Sequence, residues 1–289
     1  KSIQLHRRCI EVMGVIESNL QIFGGSGFVG SAFVKKYPLC VVKQREDHVV
    51  DKEKDILYLI STVTNYNVKT NPYVDIETNL ILLMKILSQF QGSNKTFNFI
   101  SSWFVYGNTT MPATEESICN PTGFYSITKR CAEQLLISYC QTFNIKYRII
   151  RLANVAGHGD NKASAQKNAL QYMINQLKQN LDVNLYEGGN MYRDYIHVND
   201  AVDAIDLIMS KGEINSIYNV GNGAPLLIKD LVEYAKMLIG GTGKINYIDV
   251  PQFHKIVQVH SQWMKNDKLK SLGYQPKYDM KSMIEDMIR

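Results

Sequence analysis

The chain has 289 residues, 45% hydrophobic and 20% charged, enough for one large or two small domains around a developed core. Its net charge of +5 comes from Lys and Arg scattered among acids, which argues against a nucleic-acid surface, and apolar runs such as 79–84 are soon cut by Lys, which argues against a membrane span. Five cysteines without C-x-x-C spacing and six histidines without ligand spacing argue against a disulfide framework and a metal site, and fit reduced thiols in a cytoplasmic protein.

Residues 1–18 carry Arg7 and Arg8 with no long apolar stretch behind them and read as an N-terminal extension, not a secretory signal. Residues 19–23 form a short apolar strand that runs into Gly24-x-x-Gly27-x-x-Gly30 and then a helix stopping near Tyr37-Pro38. In that setting the glycines have separate tasks: a tight turn, close approach to a pyrophosphate, and close helix packing, with the anion at the helix N-terminus. The next strand, 39–42, leads into Lys43-Gln44-Arg45. An acid there would hold the adenosine ribose, whereas basic residues accommodate a 2′-phosphate, so Lys43 and Arg45 lean towards NADP over NAD.

About a dozen residues separate that strand from the apolar run 55–60, so the usual intervening β-α unit is expected to be shortened or lost. The run ends in Ser61 and Thr62, as suits a parallel strand passing under a cofactor. A helix over about 72–89 carries Asn79, and the strand 96–100 delivers Ser101 and Ser102 to its end. Tyr125 and Lys129, four residues apart, share one helix face and can point a phenol and an ammonium into one cleft. That pairing suggests redox chemistry, in which a hydroxyl loses its proton while hydride leaves the carbon beneath it. A phenol of pKa ~10 is a poor base at neutral pH, and bringing it towards neutrality takes roughly 4 kcal/mol, which a nearby Lys and an oxidised nicotinamide, both cationic, would supply.

A further strand, 147–152, leads into Ala153-Asn154-Val155-Ala156-Gly157. The alternation of short apolar strands and helical stretches over 20–152 predicts an α/β fold with a Rossmann-type doubly wound parallel sheet, giving a dinucleotide-binding domain over 19–155. Residues 156–289 are expected to form mainly a smaller substrate-binding region, with some segments returning to the core. Within it, 160–182 reads as a polar surface helix, 217–221 as a strand and turn, 228–239 as an amphipathic helix and 268–274 as a helix end with a glycine stop. Gly240-Gly241-Thr242-Gly243-Lys244 lacks the spacing and the Ser or Thr of a phosphate loop and reads as a helix terminator.

Gly24-x-x-Gly27-x-x-Gly30, Ser102 before Val105-Tyr106-Gly107, Tyr125-x-x-x-Lys129 and Arg193-Asp194-Tyr195-Ile196-His197-Val198-Asn199-Asp200 follow one another along the chain. Together they resemble the extended short-chain dehydrogenase/reductase family, and within it the NAD(P)-dependent nucleotide-sugar epimerases and dehydratases, over nearly everything from residue 19. The resemblance implies Tyr125 as acid/base on the sugar hydroxyl or ketone, Ser102 as hydrogen-bond partner of the same oxygen, and Lys129 at the nicotinamide ribose, lowering the Tyr pKa. It implies Ser26, Phe28 and Val29 beside the three glycines at the pyrophosphate. Ile60, Ser61, Thr62, Asn79 and Ala153 would cover the rest of the cofactor, NAD or NADP. Trp103 would lie beside the sugar, Asn154 and Arg193 at the substrate diphosphate. A second family Arg is absent, with Lys255, or less favourably His254, near its place. The helices carrying 79–87 and 125–141 are those that pair in the family's homodimers.

Members that eliminate water at C5–C6 place an Asp-Glu pair directly after the residue matching Ser102; here Trp103 and Phe104 stand there, which disfavours a 4,6-dehydratase. The resemblance then implies oxidoreduction at C4 of a nucleotide-diphosphate sugar. A 4-epimerase stands narrowly ahead of an NADPH-dependent 4-keto reductase, and a non-catalytic cofactor-sensing protein comes third.

Overall fold

The computed structural model describes residues 18–160 and 162–289, so the expected N-terminal extension, apart from Ser18, lies outside the described residues. The apolar runs of the sequence become six short strands: β1 (Leu20–Phe23), β2 (Val41–Lys43), β3 (Asp55–Tyr58), β4 (Thr96–Ser102), β5 (Lys146–Leu152) and β6 (Ser216–Val220). They form one sheet in the order β2-β1-β3-β4-β5-β6, with every pair parallel. Helices α1 (Phe28–Lys36), α2 (Tyr73–Ile76), α3 (Leu82–Gln89), α4 (Phe124–Thr142), α5 (Ala169–Lys178), α6 (Val198–Lys211) and α7 (Ile228–Ile239) follow in chain order, then α8 (Gln252–Val257), α9 (Asp267–Ser271) and α10 (Met280–Ile288).

A parallel sheet needs cover on both faces, and the strand residues alternate accordingly. Leu20, Ile22, Leu57, Ile100, Ile150 and Val220 pack with Phe33 of α1 and Val202, Ile205 and Ile208 of α6. Phe23, Ile56, Tyr58, Phe97, Phe99 and Ile149 pack with Leu83, Ile86 and Leu87 of α3 and Leu136 of α4 on the other face. Burying each such side chain contributes about 1.5–3 kcal/mol, so the two layers hold the strand ends in register. The fold is the expected α/β doubly wound sheet.

The lost β-α unit is visible at the sheet edge. β2 is three residues long, and residues 44–54, which join it to β3, contain no helix. Gln21 in β1, fully buried, would be costly there without partners; the connection supplies them. Its amide donates to the Asp51 and Lys54 carbonyls and accepts the Asp51 N–H at 3.1 Å. The chain thus moves outward from β1 to β2 and returns past β1 to β3. The winding reverses between β1 and β3, and an open parallel sheet binds its ligands at such a crevice.

A third core lies beyond the strand ends. Leu170, Met173, Ile174 and Leu177 of α5 recur at helical spacing and pack with Leu231, Val232 and Ala235 of α7 and Met283, Ile284 and Met287 of α10. The expected polar surface helix is therefore an amphipathic one, and its polar residues are those of the outer face. Residues 198–220 return to the main sheet as α6 and β6.

Candidate active site

Four strand ends converge on one cleft of about 920 Å³. The glycine loop enters it after β1, Leu59 and Ser61 after β3, Ser101 and Ser102 at the end of β4, and Ala153 and Asn154 after β5. Tyr125 and Lys129 of α4 line it as well, while Arg193, Tyr186 and His254 close it from the third-core side.

The glycine loop is shaped for a phosphate. Gly24 has φ +90°, a backbone conformation that favours glycine, and a Cβ on Gly30 would stand 2.3 Å from the Gly24 carbonyl oxygen. Gly27 differs: a Cβ there would meet protein no nearer than 3.5 Å and would project into the cleft at the N-cap of α1. The first N–H groups of a helix lack intrahelical acceptors and carry the positive end of its dipole. Gly27, Phe28, Val29 and Gly30 thus leave room and donors for an anion, which a dinucleotide pyrophosphate fits.

The start of α4 is set by a residue that carries no motif in the sequence. Asn65, fully buried, accepts the Ser126 N–H and Oγ–H at 3.1 Å each and donates to the Val257 carbonyl at 2.9 Å. It fits against the N-cap Gly123, where a Cβ would lie 2.2 Å from its Oδ1. One amide thereby fixes the helix that presents Tyr125 and ties it to the end of α8.

Tyr125 is 5% exposed, and burial pushes its phenol up to about 12. Hydrogen bonds with Ser102 and Ser61 oppose that rise, and the charge of Asp75 adds to it. The Ser102 Oγ accepts the Phe104 N–H at 3.3 Å, which leaves its own proton for the phenol oxygen. Lys129 is 2% exposed and donates to the Ile100 carbonyl at 2.8 Å; burial lowers it to about 7, with Glu133 opposing. Desolvation dominates Tyr125, and the ammonium is directed at a strand carbonyl.

Beneath Lys129, the fully buried Glu133 takes both ends of the Arg151 guanidinium at 3.0 and 2.8 Å, and Arg130 at 2.9 Å. A buried carboxylate held by two guanidinium groups is compensated, so it stabilises the helix–sheet contact without leaving a free charge.

On the opposite wall, Trp103 and Phe104 stack at 3.8 Å, and Phe104 meets the Tyr125 ring edge-on at 5.7 Å. The Trp103 indole N–H donates to Asn154 at 3.3 Å, and the Arg193 guanidinium lies 5.8 Å from the Trp103 ring. Arg193 donates to the carbonyls of Tyr192, His260 and Val259 at 2.9, 2.7 and 2.9 Å, which uses three of its five N–H groups and leaves two for an anion. Next to it, Asp194 is buried and accepts the N–H groups of Asn222 and Met264 at 2.8 and 3.2 Å, with desolvation raising it to about 7.

The sequence profile of the NAD-dependent epimerase/dehydratase family matches residues 40–221. The chain belongs to that family. A putative UDP-glucose 4-epimerase from Methanocaldococcus jannaschii is 24% identical over 300 residues, covering 92% of this chain and 96% of its own. A GDP-6-deoxy-D-mannose reductase from Pseudomonas aeruginosa is 30% identical over 170 residues, 56% of each chain. Among solved structures, UDP-glucose 4-epimerase from Thermotoga maritima with UDP-glucose superposes with a TM-score of 0.83 at 21% identity, over 93% of this chain and 97% of that one. The protein is thus an enzyme of an NAD(P)-dependent nucleotide-sugar family, built on that family's fold.

Within this epimerase/dehydratase frame the structure sorts the expected site residues. Gly24, Ser26, Gly27, Phe28, Val29, Gly30, Ser61, Ser102, Trp103, Tyr125, Lys129, Ala153, Asn154 and Arg193 all line the cleft. Asn79 does not. It sits in a π-helical turn, Glu77–Ile81, between α2 and α3, and is 2% exposed. Its amide is saturated by protein, accepting from Ser61 and the Thr62 N–H and donating to Thr62 and Thr128. It braces the loop after β3 against α4. Thr62 is committed to the same network, and Ile60 packs into the second core. Lys43 pairs with Asp47 at 3.3 Å, and Arg45 is exposed at the edge; neither lines the cleft. Lys255 is exposed and one step around the helix from the cleft wall, whereas His254 lines it and bonds the Tyr66 hydroxyl at 2.7 Å. Of the expected pair it is thus the less favoured His254 that stands in the wall, whereas Tyr66 and Tyr186 were not expected, since lone aromatics in polar stretches carry no periodic signal.

Proposed function

We propose that this protein carries out NAD(P)-dependent oxidoreduction at C4 of a nucleotide-diphosphate sugar, with 4-epimerisation as the first reading. The observation that carries it is the convergence of the buried Tyr125 and Lys129 of α4 and the strand-end Ser102 on the same cleft as a glycine loop shaped for a pyrophosphate. When bound, the nicotinamide supplies the hydride acceptor and donor. Tyr125 exchanges a proton with the sugar C4 oxygen, and Ser102 holds that oxygen in line. Lys129 contributes positive charge at the ribose side, Asn154 and Arg193 grip the diphosphate, and the Trp103–Phe104 stack bounds the sugar. With aromatic residues at 103 and 104, no carboxylate stands directly after Ser102 to drive dehydration.

Residues 19–155 serve in this reading as the dinucleotide-binding domain and 156–289 as the main substrate-binding region. The open apolar depression formed by Leu80, Ile81 and Met84 with Leu135 is the surface on which two copies would pair as a homodimer. Among the described residues no helix is long and apolar enough to cross a membrane.

A second reading, reduction of a 4-keto sugar by NADPH, is favoured by two observations. No acid stands at the end of β2, where Lys43 pairs with Asp47 and Arg45 lies outside the cleft wall, and burial raises the Tyr125 phenol, which favours the protonated form that donates. Extraction of the cofactor from purified protein, followed by turnover on UDP-, dTDP-, GDP- and CDP-linked sugars, separates the two. The epimerase holds NAD tightly and interconverts C4 epimers without net cofactor change; the reductase consumes NADPH on a 4-keto sugar. Binding of a nucleotide sugar with neither outcome would leave a non-catalytic, cofactor-sensing protein.

A further inference from the structure

Phe104 stands beside both Ser102 and Tyr125. Its backbone N–H donates to the Ser102 Oγ at 3.3 Å, and its ring meets the Tyr125 ring edge-on at 5.7 Å. Of the two aromatic residues after Ser102, both of which line the cleft, Phe104 is the one left open to it: Trp103 is buried and Phe104 half-buried.

That aromatic face is held in place and has no donor to give. Trp103 stacks on Phe104 at 3.8 Å and spends its single donor, the indole N–H, on Asn154 at 3.3 Å, while Asn154 in turn donates to the Asp194 carbonyl at 3.0 Å. The Arg193 guanidinium lies 5.8 Å from the Trp103 ring. Indole bond and guanidinium fix Trp103, and the stack fixes Phe104 on it. Val63, two residues past Ser61, adds another exposed apolar side chain to the same cleft.

A sugar whose C4 oxygen is served by Tyr125 and Ser102 has C3 and C5 as the neighbours of its reacting carbon. C5 is the one that carries a further carbon, C6, projecting from the ring. Where C6 is a methyl group, an aryl face covers it and gains apolar contact. Where C6 carries a hydroxyl, the same cover strips water from that hydroxyl and returns no partner, which is costly. A fixed aryl wall and a C6 hydroxyl are therefore mismatched.

We propose that Phe104, backed by Trp103, is a specificity-determining residue that covers C6 of the sugar, and that the substrate class of this enzyme is a nucleotide-diphosphate 6-deoxy sugar. The inference rests on the proposed oxidoreduction at C4 and narrows its substrate; it applies alike to 4-epimerisation and to reduction of a 4-keto sugar. An apolar site discriminates against an added hydroxyl by about 10- to 100-fold in kcat/KM.

The test uses the full chain with NAD or NADP and pairs of nucleotide sugars that differ only at C6: glucose, galactose and mannose linked to UDP, dTDP, GDP or CDP, each against its 6-deoxy counterpart. Transfer of deuterium from C4 to the nicotinamide gives kcat/KM for each member. The parent is expected to favour the 6-deoxy member by about 10- to 100-fold. Phe104→Leu, which stays apolar, is expected to keep that preference. Phe104→Ser, which opens the wall and supplies a hydroxyl, is expected to bring the pair within about threefold of parity, chiefly by raising turnover of the hydroxylated sugar. If Phe104→Ser does not fold, Phe104→Thr carries the same expectation. A parent that turns over both members alike, as a general aromatic platform for sugars would, or that favours the hydroxylated one, overturns the proposal and leaves oxidoreduction at C4 in place. So does a 6-deoxy preference that the polar substitution leaves unmoved. Absence of deuterium transfer with every sugar of both kinds overturns the proposed function, and this proposal with it.

Discussion

The two walls of the cleft are held by different physics. On the sheet side, β1, β3, β4 and β5 bury apolar residues on both faces, and their parallel ladders fix the glycine loop, Ser61, Ser102 and Asn154 relative to one another. On the third-core side, the strand pairs are two to four residues long, and buried polar side chains bonded to backbone hold the chain instead. Asp194 takes two loop N–H groups, Asn266 donates to the Gly221 carbonyl at 2.9 Å, and Asp200 accepts from Lys277 and Tyr278. His197 bonds Asp286 at 2.9 Å and stacks on Tyr278 at 3.5 Å, fastening α10. The lesson is a division in how the walls are built: the glycine loop, Ser61 and Ser102 stand on the apolar layer, and Arg193 stands on a scaffold of backbone carbonyls.

Three substitutions would sharpen or break that division. The largest expected effect is at Gly30→Ala, since a Cβ at 2.3 Å from the Gly24 carbonyl must push the start of α1 off the loop. Cofactor affinity, measured calorimetrically, should fall by about 100-fold or more, as expected when a helix N-terminus no longer meets a phosphate. Unchanged affinity would mean that the loop does not hold the pyrophosphate. Next, Arg193→Ala should raise KM for the nucleotide sugar by roughly 10- to 100-fold, the range for a lost charge-assisted hydrogen bond, with cofactor affinity preserved. If both fall together, the two walls are not separable. Smallest in its effect on chemistry is Leu231→Ala in the third core, which should destabilise the protein by about 2–5 kcal/mol in denaturant while the folded fraction keeps cofactor affinity. Loss of cofactor binding in the folded fraction would show that the sheet wall depends on the third core for its shape.

The same contrast explains what could be read from residues alone. Apolar runs, the glycine loop and the Tyr125–Lys129 spacing are local and periodic, so the sheet, its winding and the meeting of these residues in one cleft were legible. The roles of Asn79 and Lys255 were not, because they depend on rotation about a helix axis. The π turn draws Asn79 inside, where protein saturates its amide, and one step along α8 separates the exposed Lys255 from His254 in the wall. Likewise the upward push of burial on the Tyr125 phenol could not be inferred from the adjacent Lys. Desolvation, which depends on tertiary packing, outweighs the partner that spacing suggests.

The central claim is that the Tyr125 hydroxyl exchanges the proton while hydrogen leaves or enters the sugar carbon. Its most direct test is Tyr125→Phe, with transfer of deuterium between sugar C4 and the nicotinamide followed in single-turnover experiments. The account predicts transfer slowed by about 10²–10⁴-fold, the usual worth of a positioned acid/base, with cofactor affinity within a few-fold of the parent. Transfer at the parent rate would contradict it.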